Sequence, residues 1–231
     1  MVKLWIIRHG QTLYNKFQHD WTDLGNSLEN AQFRWDRSYC DAPLSEIGIE
    51  QASSKVDQAH SLNVTKVYVS PLRRALQTCD ILFRNHPNTP KIVVHPLFTE
   101  LIHNSHDIPT YSGTPYPEFS HFDWSNVPNH FYVPEILNNQ YTQQLIGMNF
   151  EDARIRLLDI MREINPLIVE SQWEMYDRTR KAREIIRSGQ ENVGLVTHSS
   201  FLTYFMSELN ENREFIGLKR LNNLEMVEFE F

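Results

Sequence analysis

Leu4-Trp5-Ile6-Ile7 is an apolar run long enough for one short strand, and it ends abruptly in Arg8-His9-Gly10. An uninterrupted apolar run, with no polar alternation, is the habit of a strand covered on both faces, as in a parallel sheet. Lys66–Ser70 (KVYVS) and Asn192–Thr197 (NVGLVT) share that character, and Ile92–Val94 is a shorter fourth. Helical patterns lie between them. Ser45 suits the cap of a helix whose inner face carries Ile49, Ala52, Val56 and Ala59. Pro71 suits the first turn of the next, with Leu72, Ala75, Leu76 and Cys79 inward. Asn149 suits the cap of another, with Ile155, Leu158, Met161 and Ile164 at helical spacing. The tail, LEMVEFEF, alternates apolar residues with glutamates and reads as an edge strand. The expected fold is α/β: three layers, a mostly parallel sheet with helices on both faces, and one domain over residues 1–231.

Composition narrows the function classes. A net charge of −7 argues against nucleic-acid or anionic-membrane partners, which need a positive surface, yet leaves room for an anion held by a few local arginines. Of the two cysteines, Cys79 falls in a helical stretch and reads as a small buried thiol, not half of a disulfide. The first apolar run is too short for a cleavable signal, and nothing approaches the roughly 20 apolar residues of a membrane span. A cytoplasmic location is expected, so Asn63-Val64-Thr65 is not read as a glycosylation site.

In an open α/β sheet, ligands bind beyond the carboxyl ends of the strands. Arg8 and His9 end the first strand, Ser70-Pro71-Leu72-Arg73-Arg74 follows the second, and Thr197-His198 ends the NVGLVT strand. Two arginines and two histidines gathered in one place require an anion, and the guanidinium fork suits phosphate oxygens.

RHGQT followed by Asn15 resembles the signature of the histidine phosphatase superfamily, the phosphoglycerate mutase-like proteins. The resemblance continues in family order through PLSEIGIEQA (43–52), SPLRRALQT (70–78), LFTEL (97–101) and VGLVTHSSFL (193–202). It implies that His9 is a nucleophile that becomes phosphohistidine, splitting one displacement into two. It implies that Arg8 and Arg74 hold the phosphoryl oxygens, with Arg73 facing solvent, and that His198 donates to the same oxygens. Asn15 becomes an amide donor to phosphate, Thr12 a support of the loop, and Glu100 the group that protonates the leaving oxygen and then activates water. Neither metal nor organic cofactor is implied. Ser45 and Gly48 remain cap and packing residues. His103, His106 and Asp107 invite a metal reading, but no third cluster completes a site. Two departures stand out. Ser199 replaces the glycine usual after the second histidine, and Leu101-Ile102-His103 replaces a glycine-containing turn after the acid, which makes Asp107 a second candidate proton donor.

Residues 17–41 and 103–147 lack clear periodicity, and the second stretch reads as a lid insertion over the strand ends. No Lys or Arg occurs between Lys91 and Arg154. The stretch offers histidines, amides and Tyr111, Tyr116, Phe119, Phe122, Trp124, Phe131 and Tyr132, so a leaving group of low charge, aromatic or peptidic, is expected. If a second anionic group is bound, Arg34 or Arg37 is the expected source of charge. The absence of a tail beyond the edge strand to shield phosphohistidine favours hydrolysis over a mutase reaction. The expected partner is a small phosphorylated substrate or a phosphoprotein; the alternatives are a phosphoglycerate mutase-type phosphotransferase and a non-catalytic phospho-ligand binder.

Overall fold

The structure is a computed structural model, and it describes residues 3–28, 31–110, 115–164 and 169–230. The apolar runs form strands where expected. In chain order the elements are β1 (Leu4–Arg8), α1 (Leu13–Asp23), α2 (Glu46–Ser53), α3 (Val56–His60), β2 (Lys66–Val69), α4 (Arg73–Phe83), β3 (Lys91–Val94), α5 (Val133–Ile136), α6 (Phe150–Glu163), α7 (Gln172–Ser188), β4 (Val193–Thr197), α8 (Ser199–Met206), β5 (Glu208–Leu209), β6 (Phe215–Ile216) and β7 (Met226–Phe229). The sheet runs β3-β2-β4-β1-β7, with only β7 antiparallel; β5 and β6 pair separately. The fold is α/β, and the tail is the edge strand its alternation implied.

Period-two alternation divides the sheet between two cores. Trp5, Ile7, Val67, Val69 and Val196 face one, with α4 and α6; Leu4, Ile6, Tyr68 and Leu195 face the other, with α7 and α8. Register then sets the site. Arg8 pairs with Thr197, and Val69 with Val196, so β1, β2 and β4 end level with one another.

Three helix expectations need adjustment. Ser45 does cap α2 by accepting from Gly48 N, but the helix breaks at Ser54-Lys55, and Ile49 is 43% exposed because Gly48 and Ala52 form the buried face of α2. Pro71 precedes the cap of α4 instead of entering its first turn, while Leu72, Ala75, Leu76 and Cys79 are all buried. Asn149 caps α6 and Leu158 and Met161 are buried as expected, joined by Ala153, Leu157 and Ile160, whereas Ile155 lies at the exposed margin. The 17-residue α7 opens with a capping box, Ser171 with Glu174, which the sequence displays.

The described residues of 103–147 do not form a separate cover. Phe119, Phe122, Trp124, Phe131 and Tyr132 are buried in the same core as α4 and the sheet, with Tyr116 packed against it. Asp123 exchanges backbone hydrogen bonds with Ile92 and Val94, so this segment also covers the β3 edge. These aromatic rings are internal and do not face a leaving group; Tyr111 lies outside the described residues. The part that reaches the strand ends is the short turn Ser105–Asp107. Among the described residues no helix is long and apolar enough to cross a membrane.

The loop after β1 packs on α2 with no room to spare. A Cβ built on Gly48 would lie 2.0 Å from Gln11 O, and one on Gly10 would lie 2.7 Å from Gly48 O. Gly48→Ala is therefore expected to destabilise the protein by about 1–3 kcal/mol and to displace the His9 loop. Urea unfolding checks it, and an unchanged midpoint would contradict the packing.

Candidate active site

His9 emerges from β1 with its backbone tied on every side. Its N–H donates to Thr197 O at 3.0 Å, and its carbonyl accepts from Asn223 Nδ2 at 2.7 Å. The next N–H, that of Gly10, donates to Thr78 Oγ1 at 3.2 Å, and Thr78 is held by Arg74 O at 2.8 Å. His9 Nδ1 lies 2.6 Å from Gly10 O and Nε2 accepts from Arg74 Nε at 3.3 Å. The proton therefore belongs on Nδ1, and Nε2 keeps its lone pair. That is the tautomer a nucleophile needs.

The same Arg74 Nε–H is shared with His198 Nδ1 at 3.2 Å, and His198 Nε2 donates to Ser70 Oγ at 2.7 Å. The two imidazole rings lie 5.0 Å apart. The other Arg74 nitrogens donate to His106 O (2.6 Å) and to Asp107 Oδ1 (3.0 Å). Arg74, His9 and His198 are all buried. Arg8 stands beside them with its Nη1 on Leu221 O at 2.7 Å, and its Nε has no hydrogen-bond partner among the described residues. Burial, opposed by neighbouring Glu100 and reinforced by Arg220 and Arg74, lowers its pKa. Unpartnered buried atoms recur around the centre: Ser199 Oγ, Tyr14 OH and His106 Nδ1 are in the same state. Buried polar groups in native proteins are nearly always satisfied, so a cluster of exceptions marks a place built for a ligand.

The remaining expected residues divide. Thr12 and Asn15 form a reciprocal capping box on α1: Thr12 Oγ1 accepts from Asn15 N (2.9 Å) and Asn15 Oδ1 from Thr12 N (3.3 Å). That leaves Asn15 only its Nδ2 amide for a ligand. Glu100 reaches the N-terminus of α8, where its oxygens accept from Ser200 N and Phe201 N at 3.2 and 2.9 Å, and it also accepts from its neighbour Leu101 N at 2.8 Å. Ser199 is accommodated as the first residue of α8. Arg73 pairs with Glu118 at the surface. Arg34 Nε donates to Asn104 Oδ1 at 2.8 Å, beside the turn that carries Asp107, whereas Arg37 pairs with Glu151 at the surface. Charge therefore comes from outside residues 92–153: Arg34 stands beside the turn of Asp107, and Arg220 acts on Arg8. No group of three or more His, Cys, Asp and Glu among the described residues is arranged to hold a metal ion.

Sequence reading missed several supports. Ser70 fixes His198. Asp41, buried with φ +50°, accepts from Arg73 N (2.7 Å) at the start of α4 and from Tyr116 OH (2.6 Å) and Thr110 Oγ1 (3.0 Å), tying α4 to residues 110–116. Arg178 and Glu170 form a fully buried bidentate pair, both contacts 2.8 Å. Arg178 also donates to the carbonyls of Leu97, Thr99 and Glu100, and Glu170 accepts from Ile102 N. The loop carrying Glu100 hangs on that pair. A charged pair eight residues apart, Arg178 on the mostly polar α7 and Glu170 just before its cap, gives no local sign of burial.

The chain belongs to the histidine phosphatase superfamily (branch 1), which residues 4–166 match. A stretch of 99 residues is 33% identical to fructose-2,6-bisphosphatase TIGAR B from Danio rerio, covering 42% of this chain and about a third of that relative's length. Phosphoglycerate mutase from Bacillus anthracis str. Sterne superposes with a TM-score of 0.53 at 18% identity, over 98% of this chain and 86% of the other. Ecdysone phosphate phosphatase from Bombix mori, solved with tungstate, gives 0.56 at 14% identity over 100% and 90%. Mycobacterial glucosyl-3-phosphoglycerate phosphatase gives 0.53 at 19% identity over 98% and 89%. These three share the fold.

Burial and the Arg74 charge hold the pKa values of His9, His106 and His198 well below 6.5, and burial lowers His95 to about 4. The unfolded chain takes up these protons below about pH 6.5 and the folded one does not, so stability present above that pH falls as pH drops. The slope is about 1.4 kcal/mol per unit for each histidine. Asp107, raised to about 6, acts in the opposite sense between about pH 6 and 3.8, but one carboxyl cannot offset four imidazoles. The urea midpoint is expected to fall from pH 7.5 to 6.0 and again to 5.0. A flat midpoint would contradict neutral burial of these rings.

Proposed function

We propose that the protein hydrolyses phosphate monoesters through a phosphohistidine formed on His9. The observation that carries this reading is the unprotonated His9 Nε2, its tautomer fixed by the Gly10 carbonyl and its lone pair aimed at the guanidinium shared with His198. In the proposed reaction the phosphoryl group sits among Arg8, Arg74 and His198; guanidinium N–H groups take the charge of its non-bridging oxygens, with Asn15 Nδ2 as an added donor, and His198 lends a donor only when its Nε2–H turns from Ser70. His9 Nε2 attacks phosphorus in line, the P–O bond to the leaving group breaks, and water then cleaves the N–P bond. The depressed His9 pKa keeps the nucleophile neutral in mildly acidic solution.

The stretch of identity with a bisphosphatase supports hydrolysis over phosphoryl transfer between phosphoglycerates. Deep burial of the two histidines favours a small phosphorylated substrate over a phosphoprotein. Selectivity for aryl esters loses its basis, because the aromatic rings expected to meet the leaving group lie in the core. Cytoplasmic residence is part of the proposal and is supported by two unpaired thiols, Cys40 and Cys79.

His9→Ala should lower phosphoester hydrolysis by at least about 10³-fold without loss of folding. Acid-quench labelling with a ³²P-phosphoester separates the readings. A transient label on His9 supports hydrolysis, a label passed on to phosphoglycerate supports a mutase, and no label with retained phosphate affinity supports a binder.

A further inference from the structure

The turn that pairs with Arg74 is also in touch with water. Asp107 is fully buried, with Oδ1 3.0 Å from Arg74 Nη2 and 3.2 Å from His106 Nε2. Its Oδ2 accepts from Asn104 N at 3.1 Å and lies 3.3 Å from His103 Nδ1. His103 Nδ1 is also 2.9 Å from Leu101 O. Two acceptors at one ring nitrogen put the proton there, so the position left open on the neutral ring is Nε2. The His103 side chain is 27% exposed, and its Nε2 is neither sealed from water nor bonded to any described residue. The other charged or titratable groups around the turn are His106, Tyr14 stacked on it with 3.9 Å between ring centres, Arg34 bonded to Asn104, Glu100, and the Glu170–Arg178 pair that holds residues 99–102.

Histidine is the side chain that ordinarily changes charge between about pH 5 and 8. Of the imidazoles around Arg74, His9 and His198 are buried, and His106 keeps its own open nitrogen, Nδ1, out of water. His103 is the one that water can protonate without placing an unmatched charge in the interior. A proton on its Nε2 sets a positive charge against Asp107, the only carboxylate paired with Arg74 among the described residues. That carboxylate is then matched from its Oδ2 side, and more of the Arg74 charge is left for a bound anion. Resting on the phosphatase reading above, which puts the phosphoryl group at Arg74, we infer that His103 is a positioning residue that acts through Asp107 on Arg74 and tightens the site's hold on phosphate as pH falls. Charge fixes the sign, since one more positive group beside the cradle favours a dianion. His103 touches no reacting atom, so it changes affinity and leaves the chemical step alone. By reciprocity, a bound anion makes His103 easier to protonate.

The test is sulfate binding, measured by calorimetry at about pH 7.5 and 6.0, because sulfate carries two charges at both values and phosphate does not. His103→Gln keeps a polar side chain that cannot be charged. The native protein should bind sulfate more tightly at the lower pH, by a factor at least about threefold larger than His103→Gln gains. His103→Lys, charged at both values, should bind at the higher pH at least about threefold more tightly than His103→Gln. Equal gains in the native protein and His103→Gln would overturn the inference, since Asp107 or a buried imidazole would then carry the titration. In turnover, the ratio of native to His103→Gln should change with pH in KM and not in kcat; a change confined to kcat would overturn it too. If the variants do not fold, the native protein decides. The midpoint of the His103 ring titration, followed by NMR, should rise on saturation with sulfate, and an unmoved midpoint would overturn the inference. A protein that labels on His9 but fails these tests keeps the phosphatase reading and loses the role of His103; one that neither labels nor binds sulfate loses both.

Discussion

A guanidinium has five N–H groups to satisfy, and Arg74 is buried with nearly all of its surface out of water. Its acceptors are His9, His198, the His106 carbonyl and Asp107, delivered by three different parts of the chain. Unpaired, such a charge would cost several kcal/mol, so these three segments and α4 are held to one geometry. β1 and β4 must end level, α4 must begin where Asp41 caps it, and the 105–107 turn must close over the far side. The arrangement is thus structural before it is chemical: removing the cation would release the histidines and leave Asp107 buried against His103 and His106 alone.

The parts of this legible in sequence are those governed by local periodicity and by strand ends. Arg8-His9, Arg74 and Thr197-His198 sit where apolar runs stop, and a parallel sheet brings such stops together. Asn15 was legible as polar and near the site, but not as the partner of Thr12 in a helix cap. The insertion misled because aromatic rings without periodicity look the same whether they face a ligand or a core. Asp41 and the Glu170–Arg178 pair were invisible for another reason. Charged residues read as surface unless a partner is known, and these partners lie in other elements or a full two turns along the chain.

Support behind the site is uneven. Loop 97–102 is suspended from α7 by Arg178, a helix that contributes nothing to the phosphate cradle itself. The β1 loop is braced by backbone contact with α2 at Gly48 and by residues 221–225 from the far end of the described chain. Both devices fix backbone, leaving the side chains of Arg8, Tyr14, His106 and Ser199 with atoms to offer a ligand.

That residues 115–147 are core and not cover bears on how this scaffold can diversify. Peeling them away would expose Phe119, Phe122, Trp124, Phe131 and Tyr132. At about 1.5–3 kcal/mol for each large side chain, that approaches the entire stability of a domain. They cannot swing open with each turnover, so selectivity falls to the rim of the site, where Arg34 is bonded to the turn that carries Asp107. Drift in that rim changes which molecules are admitted while leaving hydrophobic burial untouched. An arrangement of this kind separates evolvability from foldability, with new selectivity available at almost no cost to the native state.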